Sequence, residues 1–348
     1  PPVVYFYRKN TGMFKRNLQL KKFNSFGTEC MAEFFASIKS ESEIIQIINS
    51  GFFSGRRRLI IGGGSNLLFT RDFHGVILKP DIPGIFMEEE DPERVIVSAG
   101  AGVNWDDFVA WAVKQNFGGI ENLSLIPGTV GATPVQNIGA YGEEIKEYIT
   151  GVRAFSTEDG TVKWFSNAEC RFSYRNSIFK NELKGQYIIT RVYFRLFKER
   201  KFNLSYGKLK EVVESKGEIT LNNIREAVIK IRKEKLPDPE ITGNAGSFFK
   251  NPVVDELYAE SLRKEFPDIP VFLQEPGRVK LAAGWLIEKC GWKGKRIGNA
   301  GVHDKQALVI VNYGNATGRE ILELSEMIRK SVYEKFGIKL EREVEVVD

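Results

Sequence analysis

Apolar and polar positions along the chain alternate between a helical and an extended rhythm. Ser40-Glu41-Ser42-Glu43 has the form of a capping box, followed by Ile44, Ile45, Ile47 and Ile48 at helical spacing, with Gly51 to end the helix. The apolar run Leu59-Ile60-Ile61 predicts a strand that feeds straight into Gly62-Gly63-Gly64-Ser65-Asn66. A further strand, Val95-Ile96-Val97, leads to Gly100-Ala101-Gly102. A helix is expected from Asn104, with Trp105, Phe108, Val109, Ala112 and Val113 inward. Residues 152–155 and 162–165 flank Asp159-Gly160, a hairpin signal, and residues 187–197 alternate as a strand. From Lys201 the character shifts to a helix over 224–234, broken at Leu236-Pro237-Asp238-Pro239. An apolar helix near 279–290, a strand at 307–312, a long helix capped by Thr317 with Glu320, and a strand-like end over 340–347 complete the pattern. The main boundary is placed near residue 200, and the last helix and strand are expected to return to the first body of the chain.

Composition narrows the class. In 348 residues, 42% hydrophobic and 27% charged is an ordinary globular balance, long enough for two or three domains and incompatible with a collagenous or disordered chain. Fifty basic against 45 acidic residues give +5, which suits anionic small molecules better than nucleic acid, for no concentrated basic block occurs. Arg56-Arg57-Arg58 reads as a solvated strand entry before it reads as an anion site. Three cysteines without a CxxC favour a reducing compartment over a disulfide framework. Two distant histidines, His74 and His303, leave little material for zinc or for a Ser-His-Asp triad, so no metal is expected. No run of 18 apolar residues predicts a membrane span, and the opening PPVVYFYRKN lacks a signal-peptide core and reads as a trimmed start.

Two glycine-rich segments carry the first candidate chemistry. The turn Gly62–Asn66 follows a strand, so its N–H groups could converge on a phosphate. It is neither a Walker loop nor a GxGxxG opening a helix, because Leu67-Leu68-Phe69 continues as strand. A tight turn between strands is the plain alternative. Residues 122–142 contain four glycines and no charged residue, which suits a loop held close to something. Within it, Pro127-Gly128-Thr129-Val130-Gly131-Ala132 could offer main-chain amides to a pyrophosphate, and Gln136, Asn137 and Tyr141 suit a flat heteroaromatic ring; a structural Ω-loop is the alternative. Arg175, in Tyr174-Arg175-Asn176-Ser177, could stabilise an oxyanion, although a surface arginine is the commoner case. Ser247, among small and aromatic neighbours and without a histidine, is a poor acyl-transfer nucleophile and could instead pass a proton; turn chemistry is the ordinary reading. Glu343 alternates with Glu341 and Glu345, the pattern of a solvated strand face.

Taken together, these segments resemble the UDP-N-acetylenolpyruvoylglucosamine reductases, the MurB flavoenzymes of peptidoglycan precursor synthesis. The resemblance runs from about Asn24 to the end, carried by Ile61-Gly-Gly-Gly-Ser-Asn-Leu67, residues 126–142, Phe172-Ser-Tyr-Arg-Asn-Ser177, Asn244-Ala-Gly-Ser-Phe-Phe-Lys-Asn-Pro252, Lys280-Leu-Ala-Ala-Gly-Trp-Leu-Ile287 and residues 340–344. It implies an α+β chain with an FAD-binding fold of the vanillyl-alcohol-oxidase type over 20–200, in two lobes. A C-terminal α+β substrate-binding domain over 201–335 would follow, then a final strand over 336–348 returning to the active site. It implies tightly bound, non-covalent FAD, with NADPH as co-substrate and a UDP-sugar as substrate, in the cytoplasm, with the oligomeric state left open and a monomer compatible. Cofactor contacts would come from Gly62, Gly63, Gly64, Ser65, Asn66 and Leu67, from Pro127, Gly128, Val130, Gly131 and Ala132, and from Gln136, Asn137, Gly139, Ala140 and Tyr141.

The same resemblance implies hydride transfer from NADPH to the flavin and then to the vinyl C3 of the enolpyruvyl sugar. Arg175 and Glu343 would stabilise the enolate-like intermediate, and Ser247 would protonate C2. Glu343 would help only when protonated or when orienting a donor, which implies a raised pKa. Tyr206, Lys235, Asn251 and Lys280 would hold the sugar nucleotide, with Tyr206 and the lysines at the diphosphate; Tyr206 places the chain with the Tyr-loop type. Family members often carry Arg two residues after the glutamate, where this chain has Glu345, so a basic contact is missing there or comes from Arg342 or another residue. Competing readings are an oxygen-using alcohol oxidase of the same flavin superfamily, a non-catalytic nucleotide-binding protein and, on pI 8.9 alone, a nucleic-acid binder.

Overall fold

The computed structural model describes residues 11–53, 55–199 and 202–348; the opening decapeptide and Lys201 lie outside the described residues. The chain forms two compact units. The first gathers residues up to 18, 32–63 and 74–232, and the second 19–31, 64–73 and 233–348.

The first unit has a four-stranded and a five-stranded sheet, besides a two-stranded ribbon of Gly139–Ala140 with Glu143–Glu144. One is ordered Lys15–Gln19, Met31–Ile38, Phe73–Pro80, Arg58–Ile60, with the last two parallel. Its helix, Glu41–Asn49, begins as expected: the Ser40 side chain accepts from the Glu43 N–H, while the Glu43 carboxylate accepts from the Lys39 N–H at 2.7 Å. The second sheet is antiparallel and ordered Val162–Ser166, Ile149–Ser156, Tyr187–Phe197, Arg94–Gly100, Ile85–Glu90. Alternation along Tyr187–Phe197 buries Val192, Phe194 and Leu196 with Val95, Val97 and Ala99 from the neighbouring strand. The helix Trp105–Lys114 covers that face. Asn104 caps it by accepting from the N–H groups of Asp106 and Asp107, and Phe108 packs 4.8 Å from Phe194.

The first unit runs past residue 200 to Arg232. Helices Leu209–Glu214 and Leu221–Lys235 bury Leu209, Val213, Ile224, Val228 and Ile231 in one cluster, and Tyr141, Phe202 and Leu204 pack against it. Arg225 also makes a two-pronged ion pair with Asp106 at 2.6 and 2.8 Å. Burial by itself would raise the Asp106 pKa, but the Arg225 fork, the Leu125 N–H and the nearby arginine charges hold it below the usual carboxylate range. An apolar helical face has to be covered, and here the glycine-rich loop of the first unit covers it.

In the second unit, one sheet runs Gly243–Ser247, Val309–Asn312, Ala300–Val302, Arg296–Ile297 and another Val253–Asp255, Arg278–Leu281, Val271–Glu275. The apolar stretch after Val279 is not helical throughout. Pro276-Gly277 turns the chain back on Val271–Glu275, so Val279 and Leu281 alternate into the core, and the helix starts only at Ala283. The long helix Gly318–Phe336 has the Thr317–Glu320 capping box and buries Ile321, Leu324, Ile328, Val332 and Phe336. The closing strand shortens to Glu345–Val347, which pairs in parallel with Leu67–Phe69 of the same unit.

All three cysteines are free. Burial pushes the thiols of Cys30 and Cys170 up to about 12, which makes them inert at neutral pH.

A steric prediction follows from the first residue of the long helix. A Cβ at Gly318 would collide with the Phe69 carbonyl oxygen, and both partners are main chain. Gly318→Ala, which in an ordinary helix stabilises by roughly 1 kcal/mol, is expected here to destabilise by about 1–3 kcal/mol. The thermal midpoint should fall by several degrees, and an unchanged or higher midpoint would contradict the packing.

Candidate active site

In the first unit the two glycine segments meet. A Cβ on Gly62 would lie 2.8 Å from Thr129 Oγ1 and 2.9 Å from Ala132 Cβ, and one on Gly63 would lie 3.0 Å from Gly128 Cα. Main chain therefore rests on main chain at Gly63 and Gly128, 65 residues apart in sequence, while Gly62 meets side-chain atoms of Thr129 and Ala132. Of the amides expected to face a phosphate, several are spent internally. The N–H groups of Val130, Gly131 and Ala132 donate to the carbonyls of Val103, Ala101 and Thr129 at 2.9–3.0 Å. The N–H groups of Gly62, Gly63, Gly128 and Thr129 donate to no acceptor among the described residues. Thr129 Oγ1 is buried and has no partner either. A buried hydroxyl and several amides left open on a surface without bulky side chains fit a ligand rich in acceptor oxygens, as the pyrophosphate of FAD is.

The segment that follows is a scaffold for Arg175. Asn137 is fully buried with φ +47°, in the left-handed region that asparagine tolerates. Its carboxamide accepts from the Lys146 N–H and donates to Glu144 Oε2 and the Ser173 carbonyl, each at 3.0 Å. What Asn137 offers a ligand is its main chain alone. Ser173 and Asn176 exchange N–H to carbonyl bonds of 3.1 Å around Tyr174-Arg175, a two-residue turn with Arg175 at φ +54°. The turn aims the guanidinium back: Nη2 donates to the Gly139 carbonyl at 2.5 Å and Nη1 to the Asn137 carbonyl at 3.5 Å. A side chain on Gly139 would reach within 2.8 Å of Nη1, so glycine is what admits the arginine. Arg175 is half-buried and oriented by the main chain of 137–139, and Ser177, through its bond to the Val135 carbonyl at 2.6 Å, ties down the far side of the turn.

Tyr141 and Tyr206 also meet in this unit, ring edge to ring face at 5.6 Å, with Tyr206 53% exposed. Burial raises the Tyr141 phenol pKa against the opposing pull of Arg232, whose own pKa is lowered by desolvation. The Arg232 Nε is buried without a partner.

The second unit holds the remaining candidates. Ser247 ends the strand Gly243–Ser247 beside Val309. The turn before it is fixed by Asn244, whose Oδ1 accepts from the Gly246 N–H at 2.9 Å and whose Nδ2 donates to the carbonyls of Thr242 and Pro237 at 2.8 and 3.1 Å. The Ser247 hydroxyl has no hydrogen-bond partner among the described residues. Immediately after it, Phe248 is fully buried, and its carbonyl accepts from the Glu343 N–H at 2.8 Å, while the Lys250 N–H donates to the Glu341 carbonyl at 2.9 Å. These bonds lace 248–250 to 341–343 and bring the Ser247 and Glu343 backbones together. Asn66 joins them: its Nδ2 donates to the Glu343 carbonyl at 3.1 Å, and its own carbonyl accepts from the Glu345 N–H at 3.0 Å. Gly64 beside it would collide through any Cβ with the Phe23 carbonyl. Arg342, the alternative basic contact, is engaged elsewhere: Nε donates to Ser325 Oγ at 3.1 Å and Nη2 pairs with Glu326.

Lys280 lies in the middle strand of the small sheet, in register with Val253 and Phe272. Asn251 sits two residues before Val253, and its Oδ1 accepts from the Ala283 N–H at 3.0 Å at the start of the helix. Lys235 is exposed at the end of its helix. Thr129, Asn122 and Asn203 were missed by sequence reasoning. Asn122 lies in the short 3₁₀ turn Glu121–Leu123 and Asn203 in irregular chain, and a carboxamide outside the main helices and strands was the one available signal. Among the described residues no group of three or more His, Cys, Asp or Glu could hold a metal, and no helix is long and apolar enough to cross a membrane.

Comparison with known proteins agrees with this division of labour. Residues 32–166 match the model of an FAD binding domain, and residues 238–347 match that of the C-terminal domain of UDP-N-acetylenolpyruvoylglucosamine reductase. The chain is thus an FAD-binding α+β protein of the flavin oxidoreductase class. A UDP-N-acetylenolpyruvoylglucosamine reductase from Flavobacterium johnsoniae is 49% identical over 95% of this chain and 98% of its own. One from Pseudomonas aeruginosa is 45% identical over 94% and 97%. The crystal structure of the Thermus caldophilus enzyme superposes with a TM-score of 0.67 at 23% identity, covering 96% of this chain and all of that one. This chain belongs to the UDP-N-acetylenolpyruvoylglucosamine reductase family.

The glycine contact generates a test. Gly62→Ala should overpack the loop pair by about 1–3 kcal/mol and lower the flavin content of the purified protein. Excess FAD should recover part of the lost thermal midpoint. Full flavin content with an unchanged midpoint would show that the two segments do not form the cradle.

Proposed function

We propose that this protein reduces UDP-N-acetylglucosamine enolpyruvate to UDP-N-acetylmuramate at the expense of NADPH, a step of peptidoglycan precursor synthesis. FAD, held on the surface about Gly62, Gly63, Gly128 and Thr129, would supply the hydride-transfer chemistry between NADPH and the vinyl C3 of the sugar nucleotide. The protein's own residues bind the substrate, hold the charge that develops and deliver a proton. The observation that carries the reading is the Ser247 hydroxyl: it has no hydrogen-bond partner among the described residues, yet sits next to a carbonyl that fixes the Glu343 main chain at 2.8 Å.

Reduction at C3 leaves carbanion character at C2 and negative charge on the carboxylate side of the substrate. A fixed cation lowers that barrier, and Arg175 suits the role because two carbonyls already orient its guanidinium. Glu343 assists by carrying or orienting a donor. Ser247 then gives its proton to C2: an enolate is basic enough to take a proton from a positioned hydroxyl, and a hydroxyl not committed to a protein acceptor is free to turn toward it. Gly62, Gly63, Gly128 and Thr129 would hold the FAD pyrophosphate, and Lys235, Asn251, Lys280 and Tyr206 the sugar nucleotide. The lysines act as point charges at the diphosphate. We place the reaction in the cytoplasm, in keeping with three free thiols.

The visible spectrum is the direct test. Purified protein should show a flavin absorbance that bleaches on NADPH without oxygen and returns on addition of the enolpyruvyl sugar nucleotide. Rapid reoxidation by air with no response to that substrate would indicate an oxidase instead. Ser247→Ala should leave bleaching by NADPH within about twofold of the parent and slow the second half-reaction by about 100-fold or more, the usual size of a general-acid contribution. Equal losses in both half-reactions would remove Ser247 from the proton-donor role.

A further inference from the structure

The Tyr206 segment, residues 203–208, is an exposed excursion that leads into the helix Leu209–Glu214. Inside it, Asn203 Oδ1 accepts from the Ser205 N–H at 3.3 Å and from Ser205 Oγ at 2.7 Å, and the Leu209 N–H donates to the Tyr206 carbonyl at 3.1 Å. These bonds shape the segment without placing it. Placement comes from Asn122, which is 1% exposed. Its Nδ2 donates to the Asn203 carbonyl at 2.8 Å and to the Tyr141 carbonyl at 2.9 Å. A carboxamide nitrogen has two hydrogens in a fixed plane, so one planar group sets the separation of two carbonyls from different segments. Asn203 Nδ2 closes the arrangement on the Gly142 carbonyl at 3.2 Å.

The base under Asn122 is rigid. Residues Glu121–Leu123 form a buried 3₁₀ turn, the Gly119 N–H donates to Glu121 Oε2 at 2.5 Å, and Trp105 Nε1 donates to the Leu123 carbonyl at 2.9 Å. On the other side of the bridge, Tyr141 has φ +49° and its ring meets Tyr206. We infer that Asn122 is a positioning residue that fixes where Tyr206 is presented by holding the Tyr206 segment to the Tyr141 turn. The inference rests on the proposal that Tyr206 meets the substrate. Asn122 itself touches neither substrate nor cofactor; it acts by keeping the segment ordered before substrate arrives, so that binding does not have to order it.

The test is a double-mutant cycle on the FAD-loaded, full-length protein, with UDP-N-acetylglucosamine enolpyruvate as substrate. Asn122→Leu keeps the volume and removes both donors. It should raise KM for the sugar nucleotide about tenfold, the scale of one to two lost hydrogen bonds, leave flavin reduction by NADPH within about twofold, and speed amide hydrogen exchange over 203–209. Tyr206→Ala should raise KM as well, and the double variant should be no worse than Tyr206→Ala, because Asn122 works through Tyr206. A KM effect of Asn122→Leu that multiplies with that of Tyr206→Ala, or no KM effect at all, overturns the positioning role. If Tyr206→Ala itself leaves KM unchanged, the substrate contact of Tyr206 fails instead, so the two failures are distinct. Should Asn122→Leu not fold, Asn203→Ala cuts the tie to Gly142 from the half-buried side. It should show the same non-additivity with Tyr206→Ala, and additivity there overturns the inference.

Discussion

Close approach of main chain to main chain is the constraint on which the rest of this structure depends. In the first unit Gly63 lies against Gly128, and Gly62 against Thr129 and Ala132. In the second, Gly64 and Gly318 face carbonyls of Phe23 and Phe69. At Gly63, Gly64 and Gly318 the neighbour is main chain from a segment far apart in sequence, whereas Gly62 meets the side-chain atoms Thr129 Oγ1 and Ala132 Cβ. The candidate ligand surface exists because such contacts leave main-chain N–H groups near the surface without covering them. The price is specificity of sequence, since one methyl group at any of these positions would displace the atoms packed against it.

Irregular backbone also has to satisfy its polar groups, and this protein does so repeatedly with asparagine. Asn137 closes the loop that bears Arg175, Asn244 fixes the turn before Ser247, Asn66 holds the Glu343 carbonyl, and Asn122 bridges two segments. A carboxamide donates and accepts without carrying charge, so it can be buried where a lysine or carboxylate would need an ion partner. The chain thereby orders long uncharged loops that no ladder of strands could hold.

The candidate chemical groups are prepared in opposite ways. Arg175 is held by two carbonyls before any substrate is present, which suits a group that must meet developing charge without moving. The Ser247 hydroxyl is held by none of the described residues, while the carbonyl of the next residue, Phe248, is bound to Glu343. Fixed charge and an uncommitted proton are complementary requirements of conjugate reduction. Arg342, by contrast, is drawn to Ser325 and Glu326 on the long helix, so Glu345 has no substitute from that side chain.

Periodicity alone was enough for the helices starting after Ser40, Asn104 and Thr317 and for the hairpin about Asp159-Gly160, because caps, turns and side-chain spacing act locally. The glycine turns and the residues of the candidate site were legible as motifs for the same reason. Tertiary structure decided the rest. It turned Val279–Leu281 into a strand through the partner strands on either side, carried the first unit on to residue 232 through the helices packed about Tyr141, and spent the amides of Val130, Gly131 and Ala132 internally. It also made Asn137 a strut and Asn122 a bridge. Those outcomes depend on which segment arrives opposite, and a hydrogen-bonding group in a loop has no preferred partner until long-range packing supplies one.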